Sequence, residues 1–296
     1  MTRLRADLLL LFAAAIWGLA FVFQKTAMDH VGPLTFIAAR GLVAAAALAP
    51  LAFLEQRRNP APMGGGLLRI AGWGGALFFV AGWLQQYGLV TASVTNTGFL
   101  TSLYVIFTPF IVWIAFRKPP ARVVAIAVAL AAAGTWALGG GNVGGFGTGD
   151  LLVAVSAIFW AIHLVVTGAS GKHDAPLTFT CIQFAVVAAI AMAAAVMFEG
   201  VEARSLLAAW DSILYVGVLS SALTFTLLAV AMRHTPAAEA AILVSMETVF
   251  AALAGAFLLG ERLSLLGWAG AGLMLAATLL VQLAPTLTRK LATPPV

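Results

Sequence analysis

The sequence predicts an all-α polytopic membrane protein: ten transmembrane helices built as two inverted five-helix repeats. Three observations lead there. The first is composition. Over 296 residues the chain is 62% hydrophobic and 9% charged, with mean hydropathy +1.03. A soluble domain carries roughly 25% charge, so this chain has too little polar surface for water. The second is repetition. Pro33-Leu34-Thr35-Phe36 returns as Pro176-Leu177-Thr178-Phe179, 143 residues on. The same displacement pairs Asp7-Leu8-Leu9 with Asp150-Leu151-Leu152, Trp17 with Trp160, Ser102 with Ser245, Phe107 with Phe250 and Thr135 with Thr278. One offset holding without a gap across both halves marks an internal duplication. The third is the placement of basic residues, which concentrate on one side of the predicted spans.

A span needs roughly 20 apolar residues. The sequence offers ten, at 6–28, 33–54, 67–90, 93–116, 121–140, 149–170, 176–198, 207–232, 236–259 and 263–283. Gly32-Pro33 divides the first pair. Arg57, Arg58 and the Pro60 to Gly66 stretch divide the second from the third. Only Thr91-Ala92-Ser93 stands between the third and fourth, and Lys118-Pro119-Pro120 ends the fourth. Gly139 to Gly149 is a glycine-rich hinge between the halves. The domains are therefore a first repeat at 6–140, a second at 149–283 and a tail at 284–296.

Orientation follows from Lys and Arg in the loops. With the N-terminus cytoplasmic, 12 basic residues fall inside and 3 (Lys25, Arg204 and Arg262) outside, with Arg40 within a span. Both termini and the tail are then cytoplasmic. Five spans per repeat is an odd number, so the second copy enters the membrane from the opposite side. The loops agree: Arg57-Arg58 corresponds to Gly200-Val201, and Arg117-Lys118 to Gly260-Glu261. Inverted repeats are a transporter architecture, with the substrate site near the midplane between them. Duplication could also serve only to build a stable bundle.

Several function classes are excluded or left without support. Cys181 is the single cysteine, so no intrachain disulfide forms. The net charge of +5 comes from scattered basic residues without an aromatic-basic patch, which gives no reason to expect nucleic acid. No Walker loop, HExxH or CxxC occurs, and the four histidines are dispersed. Neither cofactor nor metal is expected, and no nucleophile elbow suggests an enzyme. The first apolar run reads as a retained helix rather than a cleaved leader.

The candidate site comes from polar and aromatic groups inside spans. Trp17, Trp160, Tyr104 and Glu247 lie near the centres of their helices, and the last two are repeat partners. Helical spacing groups Trp17, Phe21 and Gln24 on one face, and Trp160 with His163 on another. It also groups Phe79, Trp83 and Gln86 on the third span, and Thr97, Thr101 and Tyr104 on the fourth. An aromatic cage with a few hydrogen-bonding groups suits a zwitterion with an apolar side chain. Trp17 and Trp160 have helix packing as an alternative, and His163 a core hydrogen bond. Trp73, Trp113, Trp136, Trp210 and Trp268 read as interface anchors. Arg40 either faces the cavity, snorkels or pairs with Glu247. Glu247 pairs with Arg40, receives a substrate ammonium or carries a coupling proton. Charges at this depth cost about 2.5–3.5 kcal/mol on insertion scales, so both ask for a reason.

Met246-Glu247-Thr248-Val249-Phe250, followed by Leu259-Gly260-Glu261-Arg262-Leu263-Ser264 and a Gly/Ala-rich final helix, resembles the EamA repeat of the drug/metabolite transporter superfamily. Ala15-Ile16-Trp17-Gly18 with Arg40 resembles that repeat's front end. Leu100-Thr101-Ser102-Leu103-Tyr104-Val105, with Trp160 and His163, is similar to the YddG-type amino-acid exporters. Two departures stand out: the family's Glu-Pro pair is Glu247-Thr248 here, and its first Leu-Gly-Glu turn is Phe116-Arg117-Lys118. The resemblance implies a ten-helix carrier of the cell inner membrane that moves small metabolites outward by alternating access. The expected cargo is an amino acid, aromatic or otherwise apolar members included. Another metabolite or a drug-like cation is the alternative within transport, and a non-transport membrane subunit the alternative outside it. The expected partners are that small molecule and membrane lipid, with a monomer as the working unit.

Overall fold

The computed structural model describes residues 1–58, 64–117, 119–138, 141, 147–260, 262 and 264–292, without the side chains of 138 and 282–292. Most of the expected Gly139–Gly149 hinge, and Lys118, Glu261 and Leu263, lie outside the described residues. Among the described residues every regular element is helical. In order they are α1 (Arg3–Ala27), α2 (Pro33–Arg58), α3 (Gly65–Leu89), α4 (Val94–Thr101), α5 (Tyr104–Phe116), α6 (Arg122–Leu138), α7 (Thr148–Ser170), α8 (Pro176–Phe198), α9 (Ala203–Ala208), α10 (Trp210–Leu214), a π-wound segment (Tyr215–Leu223), α11 (Thr224–Ala231), α12 (Ala237–Val244), α13 (Glu247–Leu258) and α14 (Leu265–Ala292).

Eight segments are long and apolar enough to cross a membrane, counting α4–α5, α10–α11 and α12–α13 as single spans. Two shorter apolar helices, Arg122–Ala137 and Leu265–Val281, complete the bundle. The outer surface is apolar: Leu265 is 90%, Phe257 83% and Ile114 79% exposed. Such a coat is incompatible with water and fits lipid. The five Trp residues expected as anchors are all exposed.

The repeated tetrapeptide has a structural purpose. It forms the N-termini of α2 and α8, which lie against each other antiparallel. Glu199, just past the end of α8, accepts from Leu34 N, Thr35 N and Thr35 Oγ1, each at 2.9 Å. At the other end Glu55, near the end of α2, accepts from Leu177 N at 3.1 Å and from Thr178 N and Oγ1 at 2.7 Å. The first N–H groups of a helix have no partner within it, and a carboxylate there also meets the positive end of the helix dipole. Each helix thus caps the other.

Small residues let the remaining helices approach, the usual device where lipid is the solvent. A Cβ on Gly18 would lie 2.4 Å from the Phe250 Cβ, and one on Gly88 would lie 2.5 Å from the Gly149 carbonyl oxygen. These contacts seat α1 on α13 and α3 on α7.

Two spans expected to be continuous are interrupted. The chain tightens at Ser102–Leu103 and again at the repeat partners Ser245–Met246. Val105 N reaches Ser102 O, and Thr248 N reaches Ser245 O, both at 3.0 Å. These are i→i+3 bonds, a tightening that often marks a functional hinge. Pro109 removes a donor in α5, yet its partner position is Ala252, so proline is not the shared cause. Both breaks carry a serine. Ser245 Oγ donates to Ile242 O at 2.8 Å, a local bond that competes with helix continuation. Ser102 Oγ donates to Ser245 O at 3.5 Å, so the two breaks abut.

Candidate functional site

A cavity opens at mid-bundle where α1, α2, α3, α7, the π-wound segment with α11, and the two interrupted spans converge. Its space for water-sized spheres is ≈ 60 Å³, enough for a few waters. Ligand cavities usually run to about 300–1,000 Å³, so the walls must part to admit a solute. A wider cleft of ≈ 680 Å³ lies on the flank, lined by Leu103, Ile106, Trp136, Leu151 and other mainly apolar groups. It suits lipid chains, whereas the polar groups converge on the central cavity.

The central lining follows the repeat. Trp17 and Trp160, Phe21 and Leu164, Gly82 and Phe225, Gln85 and Leu228, Thr101 and Val244, and Tyr104 and Glu247 all line it, and each pair is one position in the two repeats. The side chains are not equivalent. The first repeat contributes Gln24, Arg40, Gln85, Thr101 and Tyr104. At the matching positions of the three innermost pairs the second repeat has Leu228, Val244 and Glu247, and adds His163 and Ser220.

Hydrogen bonds fix the aromatic groups. Trp17 Nε1 donates to Ser220 O at 2.9 Å, and Trp160 Nε1 to Gln85 Oε1 at 2.6 Å. Ser220 lies in the π-wound segment and its carbonyl also accepts from Thr224 Oγ1 at 2.6 Å. Segments wound this way occur often at functional sites; the partner stretch in α3 is ordinary α-helix. Phe78 sits at the hub, with its ring centroid 4.9–5.0 Å from those of Trp160, Phe184 and Phe225. His163 Nε2 bonds Gln183 Oε1 at 2.9 Å, with edge contact to Phe78.

Two ionisable groups, Arg40 and Glu247, also line the cavity. Arg40 is 5% exposed; its Nη1 donates to Gln24 Oε1 at 3.1 Å, its Nε has no partner, and its guanidinium lies 5.1 Å from the Phe78 ring centre. Glu247 is 4% exposed and accepts from Tyr104 OH at 2.9 Å. The ion pairs among the described residues are Arg3–Asp7, Arg3–Glu239 and Arg233–Asp174. The Arg40–Glu247 pair left open by the sequence is therefore not formed. Glu247 opens α13 and Tyr104 opens α5, so both stand in the first turn beyond the breaks.

The EamA-like transporter family matches residues 4–140 and again 147–283. The chain belongs to this family. The two matches are themselves 143 residues apart. A protein of Archaeoglobus fulgidus described as an uncharacterized transporter is 29% identical over 285 residues, covering 95% of this chain and 87% of that one. Bacillus subtilis YwfM, also described as an uncharacterized transporter, is 25% identical over 283 residues, 94% of each. A solved structure described only as a crystal structure of a protein superposes with TM-score 0.77 at 17% identity, covering 99% of this chain and 100% of that one. It shows the fold. The relatives point to transport rather than catalysis.

Within this EamA-like transporter, Trp17, Phe21, Gln24, Arg40, Thr101, Tyr104, Trp160, His163 and Glu247 meet at the cavity. Four expected residues do not line it. Phe79 packs part-buried against the core, and Trp83 faces outward beside Tyr87. Gln86 is buried but donates to Gln24 O at 3.1 Å, and the Thr97 hydroxyl closes on Ser93 O at 2.8 Å. On α3 the face turned inward is that of Phe78, Gly82 and Gln85, one position back. Helical spacing could not choose between these faces, because lipid makes the outer one apolar too. Gly82, Gln85, Phe225, Leu228 and Val244 were not singled out from the sequence. Carrying the 143-residue offset from Thr101 gives Val244, but Gly82 and Phe225 needed the packing.

Proposed function

We propose that this transporter exports amino acids, aromatic and other apolar ones included, by alternating access in the cell inner membrane. The observation that carries this reading is a pair of buried ionisable side chains, the basic Arg40 and the acidic Glu247, that line one aromatic cavity without pairing with each other. A buried charge without a counter-charge is costly. A zwitterion supplies both: its carboxylate to Arg40 and its ammonium to Glu247. The rings of Trp17, Trp160 and Phe225 then accept an apolar side chain. This function is the one the YddG-type exporters suggest.

The proposal includes the architecture. All ten apolar helices cross, as inverted repeats at 6–140 and 149–283, with both termini and the 284–296 tail cytoplasmic. The antiparallel, mutually capped α2 and α8 support inversion, since they occupy equal positions in the two repeats. The working unit is a monomer in lipid, with a small molecule as its partner and no cofactor. A drug-like cation is the second reading, favoured by Glu247 and the rings; Arg40 speaks against it.

Counterflow of labelled phenylalanine into liposomes loaded with a panel of amino acids tests the assignment. Phenethylamine, which lacks the carboxylate, and 3-phenylpropionate, which lacks the ammonium, serve as competitors. Saturable phenylalanine uptake that neither analogue matches is expected. No flux with any amino acid would end this reading, and phenethylamine carried as well as phenylalanine would favour the cation.

A further inference from the structure

We infer that Gly82 sets the upper size limit of the side chain that the cavity accepts, an assignment that rests on the amino-acid reading. Helix α3 buries four glycines, Gly74, Gly75, Gly82 and Gly88. Three are there for packing. A Cβ would lie 2.8 Å from Gln183 Oε1 at Gly74, 2.7 Å from Gln183 O at Gly75 and 2.5 Å from Gly149 O at Gly88. Real Cβ atoms do not approach so closely: at Gly75 and Gly88 the obstacle is the backbone of a neighbouring helix, and at Gly74 it is the Gln183 side chain, which would have to move.

Gly82 is different. A Cβ there would meet only Phe78, at 3.5 and 3.8 Å, which is ordinary contact within the same helix. No other helix approaches, and the backbone is regular α-helix. Glycine inside a helix is disfavoured against alanine, so neither packing nor backbone conformation calls for it. What it leaves is a patch of cavity wall without a side chain, between Phe78 one turn before and Gln85 one turn after.

The other repeat shows the consequence. Position 82 corresponds to Phe225, which also lines the cavity. Its ring lies 4.9 Å from Trp17 and 5.0 Å from Phe78. One copy of the position fills the cavity with a ring and the other empties it. A planar or bulky apolar side chain finds its room against Gly82, with the ring of Phe78 alongside and Phe225 elsewhere in the same lining. A side chain at 82 takes that room away, and larger cargo suffers first.

The test compares alanine, leucine, phenylalanine and tryptophan in counterflow for wild type, Gly82→Ala, Gly82→Leu and the double variant Gly82→Leu/Phe225→Ala. One methylene in an apolar pocket changes selectivity by about 10–200-fold. Gly82→Ala should lower the phenylalanine-to-alanine ratio of kcat/KM by about tenfold, and Gly82→Leu by more. The double variant should win back much of that ratio, because it removes a ring from the same cavity lining. An unchanged ratio in folded Gly82→Leu overturns the inference. So does an equal loss for alanine and phenylalanine that Phe225→Ala does not relieve. Benzylamine and 1-naphthylmethylamine, followed by quenching of the intrinsic tryptophan fluorescence, separate the two claims. If wild type binds these amines but carries no amino acid, the amino-acid reading has failed, and the size limit stands or falls by whether Gly82→Leu weakens the naphthyl compound more than the benzyl one. Binding of neither series to wild type overturns both.

Discussion

The ends of the α2–α8 pair and the central cavity obey the same 143-residue repeat and use it in opposite ways. At the ends, Glu199 holds Leu34 and Thr35 while Glu55 holds Leu177 and Thr178, with the same three donors in each case. In the cavity, Tyr104 answers Glu247, Gly82 answers Phe225, and Gln85 answers Leu228. The helix ends carry unsatisfied backbone groups wherever the fold places them, so both copies need a cap. The cavity has no such fixed demand from the fold. Its lining is free to differ between copies, and it does. Under the proposed function, a zwitterion would meet Arg40 of the first repeat and Glu247 of the second.

The largest expected effects sharpen the cavity side of this contrast. Arg40→Gln and Glu247→Gln each replace an ionisable group by a neutral amide, shorter than the original side chain at 40 and of the same size at 247. A hydrogen bond to a charged group contributes about 1.5–3 kcal/mol, so each variant should weaken amino-acid binding by about 10–150-fold. The two should fail differently. Arg40→Gln should lose the preference for phenylalanine over phenethylamine, and Glu247→Gln the preference over 3-phenylpropionate. Competition binding on the purified variants checks this; equal losses across all three ligands would return both residues to a structural role.

A smaller effect probes the helix ends. Glu55→Ala and Glu199→Ala each uncap a helix, a loss of about 0.5–2 kcal/mol. Because the two clamps are alike, the two variants should lower stability by similar amounts, read from thermal unfolding in one detergent. A large drop for one and none for the other would break the equivalence on which the contrast rests.

The chain shows in its letters what lipid and repetition dictate. Apolar spans, helix starts and offset follow from apolar runs, Pro33 and Pro176, and a single displacement, whereas the Glu55 and Glu199 caps needed the packing. Arg40 and Glu247 were legible because a charge in an apolar run stands out. The inward face of α3 was not, since Trp83 and Phe78 are both at home on an apolar surface, one in lipid and one in the core. The breaks at Ser102 and Ser245 were also hidden, because no proline marks the second and serine is common in helices. Gly82 could not be told from Gly75 until the space around each was known.

The central claim is that equal positions of the two repeats face opposite sides of the membrane. Arg58 and Val201 are such a pair, both exposed, one at the end of α2 and the other just beyond α8. In a Cys181→Ala background, a cysteine is placed at one or the other and intact cells are treated with a membrane-impermeant thiol reagent. Val201→Cys should react from outside, and Arg58→Cys only after the membrane is opened. Labelling of both from the same side would contradict the account.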